Sequence, residues 1–129
     1  MSIEQDHRYQ LHVTVETQYI ASQSDPAVDK FVFAYSITIT NSGSQAAQLL
    51  SRHWIITDAN NSVHEVKGEG VVGEQPTIGP DSSFSYTSGT LLATDVGHMQ
   101  GSYQMLGEDG HLFDIDIPAF SLAPPHTLH

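Results

Sequence analysis

The chain has 129 residues, of which 39% are hydrophobic, 15 are acidic and only 4 are basic, so its formal net charge is −11. This length suits one domain that buries a core without cross-links, and the absence of cysteine excludes disulfides, thiolate metal sites and cysteine nucleophiles. The scarcity of Lys and Arg argues against binding to nucleic acid or to anionic lipid, whereas the negative field favours cations and basic partners.

The N-terminal segment, residues 1–8, is polar and acidic and has no apolar run of the kind found in a secretory signal. No stretch of the chain approaches the roughly 18 consecutive apolar residues of a membrane span. We therefore expect a flexible segment at 1–8, one domain at 9–123, and no insertion into a membrane.

A period of two dominates the chain that follows. From Phe31 to Ile39, large apolar residues occupy every second position, and smaller or polar residues lie between them. Because successive side chains on a strand point to opposite faces, this pattern predicts a half-buried antiparallel strand. The predicted strands are 9–16, 31–40, 47–57, 63–67, 84–88, 103–106 and 113–117.

Turn signals separate these runs at 41–44, 58–61, 79–81 and 107–110. About seven short strands at this spacing predict an all-β antiparallel fold, a sandwich or a barrel, and we expect the sandwich. One stretch, 45–50, has a helix-like pattern, but it is too short to form a stable helix alone. Pro124 and Pro125 cannot donate to a ladder, so strand pairing should stop before a C-terminal tail at 124–129.

The third predicted strand carries the only tryptophan of the chain. Leu50, Trp54 and Ile56 are expected to share one face, and Trp54 to pack between the sheets. Its neighbour His53 should then face away from the core, because adjacent side chains alternate.

A glycine-rich segment from residue 68 to 80 is the least regular part of the chain. It contains a match to G-x-G-x-x-G, formed by Gly68, Glu69, Gly70, Val71, Val72 and Gly73. In dinucleotide folds this pattern brings a backbone turn to pyrophosphate at a helix N-terminus. Here Pro76 interrupts any following helix, and Glu69 would repel phosphate. The alternatives are glycines that supply positive φ for bulges and a turn, or a rigid surface loop that a protein partner recognises.

Metal and nucleophile chemistry have weaker signals. The eight histidines are scattered, and none forms the helical pair of a hydrolase zinc site. Asp114 and Asp116 share a strand face and could hold a hard cation with water, but a solvated strand face explains them better. The 86–90 cluster of hydroxyl residues lacks a nucleophile elbow. No catalytic constellation emerges, so we expect a non-catalytic protein.

The chain resembles the ApaG family, also called CorD or domain of unknown function 525. The residues that carry the resemblance lie at 66–76, 84–89, 97–105 and 113–122, with Arg52, Trp54 and 56–58 in addition. The resemblance implies an immunoglobulin-like or fibronectin type III-like sandwich and a bacterial cytoplasmic protein. It also implies a protein-interaction role and an association with cobalt resistance and magnesium efflux, with Gly68, Gly70 and Gly73 in a binding loop.

Three functional hypotheses follow. The first is a protein-interaction module linked to divalent-cation homeostasis, with an unidentified protein partner. The second is direct binding of Co²⁺ or Mg²⁺ by acidic and histidine side chains. The third is binding of a nucleotide or pyrophosphate by the loop at 68–73. A homodimer through a sheet edge or face is a further open alternative.

Overall fold

The computed structural model describes residues 8–125 as two antiparallel sheets packed face to face. The β-strands, listed in chain order, are β1 (Leu11–Tyr19), β2 (Phe31–Asn41), β3 (Ala47–Asp58), β4 (Val63–Glu69), β5 (Thr77–Ile78), β6 (Ser82–Leu92), β7 (Gly97–Gly107) and β8 (Leu112–Leu122). Two short 3₁₀ helices, Ala21–Gln23 and Pro26–Val28, lie between β1 and β2. No helix in this part of the chain is long or apolar enough to cross a membrane.

The first sheet has the order β1-β2-β6, and the second has the order β4-β3-β7-β8, with β5 pairing to β3 where β4 has ended. The predicted all-β sandwich is confirmed. The strand count is eight rather than about seven, because the two-residue β5 is too short to produce a periodic signal. The predicted hairpin at 107–110 joins β7 to β8.

Several predicted boundaries were wrong. The helix-like stretch at 45–50 forms no helix, as its short length predicted, and residues 47–50 begin β3. The first strand lies at Leu11–Tyr19 rather than 9–16. The strands predicted at 84–88 and 103–106 each extend to 11 residues.

The core lies between the sheets and is centred on Trp54, which is 2% exposed. Its ring makes edge contacts with Tyr35 at 5.3 Å and Phe120 at 5.9 Å between ring centroids. The alternation predicted from Phe31 to Ile39 is confirmed, since every large apolar residue of that run except Phe31 is buried.

A β-bulge in β3 changes which residues face this core. Leu49 pairs with Met105 and Ser51 with Gln104, so Leu50 is the extra residue. Leu49 is fully buried and takes the place in the core that was predicted for Leu50, which is half-buried. Beyond the bulge, Arg52 takes the inward position in phase with Trp54.

The two ends of the described chain are held by the sandwich. Arg8 forms an ion pair of 2.7 Å with Asp109 in the β7–β8 turn. At the other end, β8 stops at Leu122, as predicted from the two prolines, and Pro124 is buried. Apart from Arg8, Pro124 and Pro125, the predicted terminal segments 1–8 and 124–129 lie outside the described residues.

Candidate functional site

The glycine motif lies where β4 ends and the chain turns back toward β5. Gly68 and Glu69 are the last residues of β4. The N–H of Gly70 donates to the carbonyl of Leu50 at 2.8 Å, which ties the loop to the bulge of β3. The glycine-rich segment, the least regular part of the sequence, therefore forms an ordered loop after β4.

The tip of this loop is a closed two-residue turn. Val71 and Glu74 donate their N–H groups to each other's carbonyls at 2.8 and 2.9 Å. The two central residues, Val72 and Gly73, have φ of +43° and +81°, the signs found in type I′ turns. This geometry accounts for Gly73, because glycine adopts positive φ without strain.

The two valines of the loop have opposite environments. Val71 is 1% exposed and belongs to the core, whereas Val72 is 55% exposed and projects into solvent. Gly70 also has a positive φ, and a Cβ there would lie 2.3 Å from the carbonyl oxygen of Glu74. Val71 therefore holds the loop to the core, and Val72 exposes one apolar side chain at the tip of the loop.

Arg52 fastens the loop to β3. Its Nη1 donates to the carbonyl oxygens of Glu69 at 3.1 Å and Gly70 at 2.8 Å. Gly68 is paired with Arg52 across the ladder, and the guanidinium lies 2.8–2.9 Å from where a Cβ of Gly68 would be. The missing side chain of Gly68 leaves the space that the guanidinium fills.

Sequence reasoning had missed this role of Arg52. Strand alternation alone places Arg52 on the face of Trp54, where a charged residue has no evident partner. The sequence does contain an arginine on the inward face of one strand and a glycine, Gly68, on the next strand. That the two residues pair can be recognised only once the register between β3 and β4 is known.

These contacts bear on the pyrophosphate hypothesis. A phosphate loop presents several backbone N–H groups that converge on a ligand. Here the N–H groups of Gly70, Val71 and Glu74 already donate to backbone carbonyls. The chain continues to strand β5 rather than to a helix, so the helix N-terminus that this mechanism uses is replaced by extended backbone.

A shallow cavity of about 410 Å³ lies beside the loop, across the neighbouring strands β4, β3 and β7. It is lined by Ser51, Arg52, His53, Lys67, Gly68, Glu69 and Gln104. Ser51 donates to the side-chain oxygen of Gln104 at 2.8 Å, and His53 Nε2 lies 3.0 Å from a carboxylate oxygen of Glu65. His53 thus faces away from the core, as predicted.

The residues considered for metal binding do not converge. Asp114 and Asp116 are exposed on β8, opposite Gln104 and Ser102 of β7. His12 lies beside Ser42 at 3.0 Å. Among residues 8–125, no three His, Asp or Glu side chains are grouped closely enough to hold a metal ion. His7, His126 and His129 lie outside that range.

A buried pair of tyrosines lies next to Arg52, because Tyr103 pairs with Arg52 across the ladder between β3 and β7. The hydroxyls of Tyr86 on β6 and Tyr103 on β7 are 2.5 Å apart. Burial raises the pKa of Tyr86 to about 12, and burial together with the neighbouring Tyr86 raises the pKa of Tyr103. The positive charge of Arg52 opposes part of the rise in both pKa values.

Several known proteins are similar to this chain in sequence. Residues 21–107 match the ApaG domain, DUF525. Protein ApaG of Thiobacillus denitrificans is 61% identical over 122 residues, covering 95% of this chain and 96% of that protein. Protein ApaG of Azotobacter vinelandii is 59% identical and covers 96% and 98%.

Two solved structures are similar to this chain in fold as well as in sequence. The crystal structure of the putative ApaA protein from Bordetella pertussis superposes with a TM-score of 0.89 at 50% identity, covering 91% of this chain and 95% of that chain. An X-ray structure of structural genomics target SoR45 gives a TM-score of 0.89 at 52% identity, covering 96% and 92%. The resemblance found in the sequence is confirmed: the chain belongs to the ApaG domain family.

Proposed function

We propose that the chain is a non-catalytic protein-interaction module whose partner recognises the loop at Gly68–Gly73. The loop is held in one conformation by the backbone hydrogen bonds of Gly70, Val71 and Glu74, by the burial of Val71 and by the hydrogen bonds from Arg52. A preorganised loop loses little conformational entropy when a partner binds.

One observation carries this proposal. Val72 is a β-branched residue at φ +43°, and its side chain is 55% exposed. Such a conformation is a genuine outlier for valine. Strain of this kind persists where the surrounding structure imposes it, and it concentrates at binding and active sites. The exposed apolar side chain of Val72, which the fold keeps in spite of its strained backbone, is therefore suited to contact a partner.

The competing hypotheses receive less support from the geometry. Nucleotide binding would need the N–H groups that the loop already uses. Direct binding of Co²⁺ or Mg²⁺ would need ligands that residues 8–125 do not bring together. We therefore infer that any association with cobalt resistance and magnesium efflux acts through a cytoplasmic protein partner.

The experiment is a comparison of immobilised baits exposed to native cell extract, with every recovered protein quantified. The baits are the wild-type chain, Val72→Asn and the control Val63→Asn. Asparagine tolerates positive φ, so V72N keeps the turn and removes the apolar tip. Val63 is 57% exposed on β4, away from the loop.

We expect a reproducible set of proteins on the wild-type and V63N baits, depleted at least about tenfold on V72N, as loss of one well-buried contact implies. Equal recovery on all three baits would show that the loop is not the recognised surface. If the wild-type bait recovers nothing reproducibly, the interaction function itself is wrong.

A further inference from the structure

The two sheets of the sandwich have unequal widths. On the main path of the second sheet, four strands run in the order β4-β3-β7-β8, whereas the first sheet has only β1-β2-β6. At one side β1 packs against β8. At the other side, β4 lies beyond β6, the last strand of the three-stranded sheet, and so overhangs it.

The burial of β4 shows this overhang directly. Val66 is paired with Trp54 and His64 with Ile56, so their side chains share the inward face. Trp54 is 2% exposed, but Val66 is 39% exposed and His64 is also exposed. Residues 8–125 therefore cover the inward face of β4 only in part at Val66 and His64.

A hollow of about 450 Å³ lies at this position, between β4 and the end of β6. Most of its lining is apolar, with Asp29 and His64 as the polar members: Asp29, Ile56, His64, Val66, Leu91, Leu92 and Ala93. Leu91 is itself 59% exposed. The hollow therefore presents apolar surface beneath the overhang, next to the edge of the first sheet.

That edge is formed by β6, which pairs with β2 on one side only within the described chain. The register with β2 runs without a bulge from Ser82 to Leu92, and this segment contains no charged residue and no proline. Natural edge strands are usually blunted by lysine, proline, bulges or short length, and β6 has none of these. Its free backbone groups are a template for another strand.

We propose that the vacant position beside β6 is filled by an extended segment of a partner protein. The segment adds a fourth strand to the first sheet, as in other complexes formed by strand addition. Its inward side chains are apolar and cover Val66 and Ile56. Its outward side chains are small and polar, in line with the exposed hydroxyls of Ser83, Ser85 and Thr87 on β6.

The net charge of the chain favours a segment of a partner protein over a second copy of the chain at this position. A second copy of the chain would bring together two molecules of net charge −11, and like charges oppose their association. A segment with basic flanks is instead attracted by the field of the chain. The proposal goes beyond the proposed function, because it names a second surface that does not include Val72.

The probe is a peptide of sequence Lys-Val-Thr-Val-Thr-Val-Lys, titrated into isotope-labelled full-length chain and followed by amide NMR. We expect shifts that saturate below roughly 1 mM, concentrated in Ser82–Leu92 and around Val66, with slower hydrogen exchange along β6. Two peptides N-methylated at alternate amides, in opposite phase, serve as controls. One should lose binding and the other retain it, because only alternate backbone groups face the paired strand.

Two matched variants test the overhang. Val66→Lys places a charge in the hollow and should weaken peptide binding about tenfold. Val63→Lys adds the same charge on the opposite face of β4 and should change binding less than about twofold. Val72→Asn should bind as the wild type does, which separates this proposal from the loop.

Three results would overturn the proposal. The first is the absence of shifts on β6 at millimolar peptide. The second is equal binding by both N-methylated peptides, which would exclude backbone pairing. The third is sedimentation showing that the free chain is a dimer with protected β6 amides, which would make a second copy the occupant.

Discussion

The hydroxyl of Tyr86 and the hydroxyl of Tyr103 form a hydrogen bond of 2.5 Å that joins the two sheets across the core. Tyr103 is fully buried and Tyr86 is 8% exposed, so water does not compensate for the loss of either partner. Tyr103 pairs with Arg52 across the ladder between β7 and β3, so this bond is adjacent to the residue that holds the loop.

The first prediction concerns the energetics of this pair. Tyr86→Phe or Tyr103→Phe alone leaves one buried hydroxyl without a partner and should lower the free energy of unfolding by about 1–3 kcal/mol. The double variant removes both polar groups and should cost less than the sum of the single changes. Urea denaturation of all four proteins measures this cycle, and strict additivity would show that the two hydroxyls are not coupled.

The second prediction is a loss of stability at alkaline pH. Burial raises the pKa of Tyr86 from 10.0 to about 12 and raises that of Tyr103 in the same direction. In this range the folded state holds protons that the unfolded state releases. The resulting stability is present in full below pH 10 and is lost as pH rises through the folded pKa.

For Tyr86 the shift corresponds to roughly 2–3 kcal/mol. Denaturation followed at successive pH values between about 9 and 12 measures this loss, with tyrosinate absorbance recorded in parallel. The Tyr86→Phe, Tyr103→Phe double variant is the control, and its stability should fall less steeply. A double variant with the slope of the wild type would assign the alkaline loss to other groups.

The strands that were predicted well are those whose two faces differ most. In β2, large apolar and small polar residues alternate, and burial follows the alternation. Trp54 and His53 were placed correctly for the same reason. Alternation is a local property, so a single strand carries enough information to orient its own side chains.

The features that the sequence did not predict depend on how the strands pair with one another. The extra residue at Leu50 shifts the phase of β3, and nothing in the order of residues marks it. The inward face of β6 carries Ser88 and Thr90 as well as Tyr86, so its apolar period is weak and its length was underestimated. The role of Gly68 became visible only when the register placed it opposite Arg52.

The third prediction tests that register. Arg52→Met removes two charge-assisted hydrogen bonds and should cost about 1.5–3 kcal/mol. Gly68→Ala should displace the same guanidinium and should therefore add little to R52M in a double variant. Urea denaturation gives the energies, and amide exchange at residues 70–74 reports the loop.

The matched control for Arg52 is Lys67→Met. Lys67 is exposed and shares the outward face with His53, so its loss should change stability by less than about 0.5 kcal/mol. Loss of exchange protection in R52M but not in K67M is expected. A loop that stays protected in R52M would mean that the guanidinium is not its anchor.

The fourth prediction separates strain from recognition at the loop tip. Valine at a positive φ costs roughly 1–2 kcal/mol, and asparagine at the same φ costs less. Val72→Asn should therefore raise the free energy of unfolding by about 1 kcal/mol, whereas Val63→Asn in regular strand should lower it slightly. Denaturant unfolding of both variants measures the difference. A variant that is more stable and yet loses its partner would show that the side chain of Val72 is kept for contact rather than for folding, and a V72N that gains no stability would remove strain as the reason for assigning function to this loop.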